Sequence, residues 1–219
     1  MFNLDVNAAK KSERTGFYIN ESGKYFGEIL VAEWNENHAT GSKNIVITYK
    51  SDEDQKATIW LNTGFIDKKT GLPAKNETNL GKLSAILACL RMRSTGGITK
   101  KNIKKWNKEV GQEVDVLCDV FDDLSGKKLG MLIQMEIDKK AQGDDPRPSP
   151  ILLAPFEYST ELMATEILDK KTSPELLATY VQKLKPVIDR RPKQSNNGGS
   201  VNYGHNAYAG DDFDDDAPF

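Results

Sequence analysis

The chain has 219 residues, 38% hydrophobic and 28% charged, with 30 Lys and Arg against 32 Asp and Glu. That balance excludes a wholly disordered chain and a short stapled peptide, and the length suits one core with appendages. The net charge of −2 hides an asymmetry: no Lys or Arg follows Gln194, so residues 1–193 set all 30 cations against 27 acids, while five aspartates crowd the last nine positions.

Residues 24–34, 43–50 and 55–62 are rich in β-branched and aromatic side chains and are separated by polar or Gly-containing stretches. They predict three successive antiparallel strands. After a basic loop, Leu80, Leu83, Ile86, Leu87 and Leu90 recur at spacings of three and four, one face of a helix that Gly96-Gly97 should end. Alternation then predicts two more strands, through Val114, Val116, Cys118 and Val120, and through Leu129, Met131, Ile133, Met135 and Ile137, with Leu124-Ser125-Gly126 in the turn. Three strands, a helix and two strands is the element order of the five-stranded OB-fold barrel. The expected fold is therefore mainly β with added helices, its core in residues 1–143.

The stretch Asp144-Asp145-Pro146-Arg147-Pro148-Ser149-Pro150 reads as a linker or long loop. Leu162, Met163, Ile167 and Leu168 predict a helix, and Ser173-Pro174 opens a second through Leu176, Leu177, Tyr180, Val181 and Leu184 that Pro186 stops. Residues 144–193 are thus expected to be a Pro-rich loop and helical extension. Residues 194–219 begin Asn-, Gly- and Ser-rich, a composition expected to stay disordered.

Little here suggests catalysis. Of two histidines, His38 falls in a strand-to-strand loop and His205 in the Asn- and Gly-rich segment, which leaves no His-based triad or metal site. Gly81-Lys82 fails as a phosphate loop, having Asn76 and Leu83 where Gly and Ser or Thr belong. The acid pairs Asp122-Asp123 and Asp144-Asp145 sit among turn residues and read as solvated carboxylates. Cys89 and Cys118 lie in apolar patterns and read as buried free thiols. No enzyme activity, cofactor or metal is expected. The apolar runs fall short of the roughly 20 residues that span a bilayer, and the start lacks a secretory signal pattern, so a cytoplasmic protein is expected.

The charge pattern says more. Between Gly64 and Lys108 stand eleven bases and two acids: Lys68, Lys69, Lys75, Lys82, Arg91, Arg93, Lys100, Lys101, Lys104, Lys105 and Lys108 against Asp67 and Glu77. Such an excess is the footprint of a polyanion partner, and Phe65 and Trp106 lie inside it. A protein that holds single strands needs rings for bases as well as cations for phosphates. Trp60 alternates with Ile59 and Leu61 and shares a face with Thr58 and Asn62, so it is a stacking candidate; Trp34, which shares its face with Leu30 and Ala32, is a weaker one.

The final residues are Asp211, Asp212, Phe213, Asp214, Asp215, Asp216, Ala217, Pro218 and Phe219. This end closely resembles the acidic, Pro-Phe-terminated tip of bacterial single-stranded DNA-binding proteins, which also follows a Gly- and Asn-rich linker. The opening Met1 to Lys10 and the segment Glu21-Ser22-Gly23-Lys24-Tyr25 resemble phage-encoded single-stranded DNA-binding proteins. The resemblance implies sequence-independent binding and protection of single-stranded DNA in phage replication or recombination, inside an infected bacterial cell. It further implies a tip that recruits replication or recombination enzymes and competes with DNA. Self-association stays open. The rival reading is a protein-interaction adaptor whose barrel is only a scaffold; a metal-dependent nuclease is a more distant one.

Overall fold

A computed structural model of the chain describes residues 17–143 and 145–192. Its element order is β1 (Gly23–Asn37), β2 (Ser42–Ser51), β3 (Lys56–Ile66), β4 (Pro73–Lys75), α1 (Glu77–Cys89), β5 (Ile98–Asn107), β6 (Gln112–Phe121), a 3-10 turn (Asp122–Leu124), β7 (Lys128–Ile137), β8 (Ser149–Phe156), α2 (Ala164–Leu168), α3 (Leu176–Gln182) and β9 (Ile188–Asp189). The protein is mainly β, as the alternating sequence predicts.

Everything is arranged around β1. It pairs with β2 from Gly27 to Asn37, and its other edge serves two partners: Gly23 to Glu28 pair with β7, and Glu33 and Trp34 pair with β6. A bulge between Ile29 and Val31 separates the two stretches. Such an extra residue bends the strand, and two different neighbours can then share one edge. Gly27 lies just before the bend, where a Cβ would collide with the backbone of Lys50 and Ser51.

In one direction the sheet runs β1, β2, β3 and then short β4; in another, β6 and β5 form a hairpin; in the third, β7 carries β8 and, in parallel, β9. β8 curls round to lie beside β3 without a ladder between them among the described residues. The sheet is therefore open. Pro150 and Pro155 bring no N–H to β8, so this strand has fewer donors to offer a further neighbour.

Ile29, Ala32, Ile45, Ile47, Ile59, Leu61, Leu129, Met131, Ile133 and Leu152 fill the inside of the curled sheet. Tyr49 is fully buried there, its hydroxyl 2.9 Å from the Leu129 carbonyl and 3.1 Å from that of Tyr25, so one proton serves two acceptors. Helix α1 closes one end with Ile86 and Cys89. Asn76 caps its start by accepting the Asn79 N–H at 3.1 Å. On the other face of β7 and β8, Leu132, Ala154 and Phe156 meet Met163 and Leu177 in a second apolar cluster.

Three expectations need correction. The five strands expected of the barrel are instead nine strands in an open sheet, in which short β4 comes between β3 and the helix. The helix ends at Cys89 rather than at Gly96-Gly97, because Arg91 takes a left-handed backbone (φ 56°) and hydrogen-bonds Glu157 through Nε at 2.8 Å and Nη2 at 3.1 Å. The basic stretch leading into residue 108 and part of the Pro-rich extension are the strands β5 and β8. The linker and acidic tip, residues 194–219, lie outside the described residues, as does the opening Met1 to Lys10.

Candidate nucleic-acid interface

Strict alternation in β3 puts Ala57, Ile59 and Leu61 in the core and turns Lys56, Thr58 and Trp60 outward. Trp60 is 58% exposed. Beside it on β2 and β1, Val46 pairs with Trp60 and with Glu33, while Thr48 pairs with Thr58 and with Val31. These side chains make a floor in which apolar Val31, Val46 and Trp60 are interleaved with polar Glu33, Thr48 and Thr58.

The hairpin of β5 and β6 forms the facing wall. It leaves the sheet at Trp34 and leans back over the outward face, so that Lys105 Nζ reaches Glu33 Oε2 at 2.5 Å. Its turn is set by Asn107, whose side-chain oxygen accepts the Glu109 N–H at 2.8 Å, and by Gly111 at φ 64°. The lean brings Trp106, 64% exposed, to the same groove as Trp60. The groove holds about 580 Å³, with Lys56, Lys101, Lys104 and Lys105 around the two indoles.

The cations are not equivalent. Lys101 pairs with Asp122 at 2.8 Å, and Lys100, outside the groove lining, pairs with Asp119 directly across the hairpin at 2.9 Å. Burial by itself would lower the pKa of the Lys105 ammonium, but hydrogen bonds to Glu33 and Cys118 outweigh it and hold the pKa above the usual lysine value. Lys56 and Lys104 form no ion pair among the described residues. Through its turn and β6 the hairpin adds four acids, Glu109 in the turn and Glu113, Asp115 and Asp119 on the strand, to its five lysines. The basic excess of the sequence thus becomes, in three dimensions, a local cluster.

Of the residues singled out by sequence, the fold gathers Trp60, Lys101, Lys104, Lys105 and Trp106. Lys108 is exposed at the hairpin turn. Phe65, Lys68, Lys69 and Lys75 sit at the β3–β4 end, beyond this groove. Arg91 and Arg93 follow α1, with Arg91 engaged by Glu157. Trp34 packs edge-on to Phe121, ring centroids 6.1 Å apart, and leans against the core instead of lining the groove. The tip residues Asp211, Asp212, Phe213, Asp214, Asp215, Asp216, Pro218 and Phe219 lie outside the described residues.

Thr58, expected to share the face of Trp60, does line the groove, and Lys56 joins it there without having been singled out by sequence, although its parity with Trp60 in β3 is visible there. Among the described residues no group of His, Cys, Asp and Glu is placed to hold a metal ion, and no helix is long and apolar enough to cross a membrane. No protein-family model matches the chain, and no curated protein is similar to it.

Proposed function

We propose that the protein binds single-stranded DNA, without sequence preference, in the groove between the outward face of β1–β3 and the β5–β6 hairpin. One observation carries this reading: two largely exposed indoles, from elements far apart in sequence, face one groove rimmed by four lysines. Each nucleotide presents a flat ring and a negative charge, and such a groove answers both. A duplex hides its ring faces in the base stack, so it gains only the lysines. The course of the sheet also supports an opened, elaborated OB-like architecture, since β1, β2, β3, the adjacent β8, β7 and again β1 follow one another round the core. We further propose, from the resemblance of the tail, a role in phage DNA replication or recombination, with Asp211 to Phe219 recruiting partner enzymes and competing with DNA.

Titration of the full chain with single-stranded DNA, duplex DNA and RNA of equal length, followed by indole fluorescence, tests the reading. Single-stranded DNA should quench the emission and bind more tightly than duplex. Log K should fall with log salt at about −0.7 per phosphate-bound lysine, near −3 for four. Trp60→Ala or Trp106→Ala should each weaken binding by about 1–3 kcal/mol. Absence of any salt-sensitive DNA binding would favour the adaptor reading.

A further inference from the structure

Trp60 has two sides. Away from the hairpin, beyond its indole, lies a second hollow of about 670 Å³, bordered by Tyr18, Arg147, Pro148 and Ile151. Lys56, Thr58 and Trp60 line both this hollow and the hairpin groove, so the two are continuous along β3.

Both new side chains are presented by fixed backbone. Ile19, 3% exposed, is anchored in the core, and its N–H donates to Lys56 O at 2.9 Å while Lys56 N–H donates to Phe17 O at 2.8 Å. Tyr18, between these contacts, is turned outward and is 74% exposed. Arg147 stands between Pro146 and Pro148, whose rings restrict φ, two residues before β8 begins at Ser149. Arg147, like Lys56, makes no ion pair among the described residues, and the Tyr18 ring packs on no other ring among them.

We propose that this second hollow continues the path of the single strand. The Tyr18 ring stacks a base, Arg147 and Lys56 hold the adjoining phosphates, and Trp60 is shared between two successive stretches of one strand. The proposal rests on the single-strand reading of the hairpin groove. An occupant carrying a flat ring and a charge at every unit uses both the rings and the cations. An acidic peptide supplies the charge without the regular rings.

The test is a ladder of dye-labelled thymidylates about 3–15 nucleotides long, bound to the full chain at low salt and read by anisotropy. Wild-type affinity should climb with length until both hollows are filled. Tyr18→Ala should leave the shortest bound oligomer unaffected and weaken the longest by about 5-fold or more. Tyr18→Phe, which keeps the ring, should retain the long-strand affinity. Arg147→Ala should reduce the salt slope by about 0.7 on the long oligomer alone. Equal losses at every length, or no loss at any, would overturn the proposal. A wild type that binds no single strand of any length would instead remove the hairpin-groove reading, and this one with it.

Discussion

At the scale of single residues, the most consequential buried charge is Glu166, which is fully buried. Burial alone would raise its pKa, yet the carboxyl is held below the usual range by three backbone N–H donors, Met163 at 2.9 Å, Glu175 at 2.6 Å and Leu176 at 2.9 Å, with Lys171 adding its charge. The carboxylate thereby fixes the starts of α2 and α3 together. A carboxyl whose pKa is lower folded than unfolded contributes stability that is present above its unfolded value of about 4.3 and is lost as pH falls through the folded one. Glu166→Gln should cost about 1–3 kcal/mol at neutral pH, with the gap to wild type narrowing below about pH 4; urea melts at pH 7 and in acid would show it. Nothing in the sequence distinguishes Glu166 from a surface acid, because its donors come from the backbone up to ten residues away. Trp60, by contrast, is readable from the regular parity of β3. Trp34 is harder to place: the bulge after Ile29 shifts the inward positions, so that Ile29 and Ala32 are both fully buried, and Trp34 follows Ala32.

At the scale of elements, β5 shows why a strand can be missed. Its sequence, ITKKNIKKWN, offers little apolar alternation, and its residues are exposed or half-buried. The strand forms because all ten residues pair with β6, and that partner's alternation was legible. The hidden consequence is electrostatic, since pairing sets acids of β6 and β1 beside lysines that look unopposed in the sequence. A lysine already paired has to exchange a carboxylate for a phosphate, whereas a free one does not. Lys104→Ala should therefore flatten the salt dependence of single-strand binding by about 0.7. Lys100→Ala, at a paired site outside the groove, should change it far less. Glu33→Gln should strengthen binding at low salt, because it frees Lys105 and removes a negative charge from the groove, and the gain should fade as salt screens the site. Equal effects of the two lysine changes would place the strand elsewhere on the hairpin.

At the scale of the molecule, the question is where the folding unit ends. Proline content suggests a boundary near residue 143, with everything after it an extension. The strand β8 lies beyond that point, yet it pairs with β7 from Ser149 to Phe156 and brings Leu152, Ala154 and Phe156 into two apolar clusters. The Phe156 ring occupies the space over Gly130, where any Cβ would collide with it, and it meets Phe26 edge-on with centroids 5.2 Å apart. Farther on, Gln134, 2% exposed, accepts the Lys185 N–H at 3.0 Å, and its amide nitrogen lies 2.6 Å from Lys185 O and 2.8 Å from Ser22 Oγ. The entry to β1 and the segment after α3 are thus tied to one buried side chain. Burying a large apolar side chain contributes about 1.5–3 kcal/mol, and a domain retains only about 5–15 kcal/mol in all, so losing β8 with the cluster behind it should remove most of that margin. A chain truncated after Gly143 is expected to lose cooperative unfolding in urea, whereas one truncated after Pro192 should keep it. Phe156→Ala in the full chain is the milder probe, expected to cost about 3–5 kcal/mol. If the chain ending at Gly143 melts cooperatively with native near-ultraviolet dichroism, the first seven strands are sufficient as a core, and β8 packs onto a unit that folds without it.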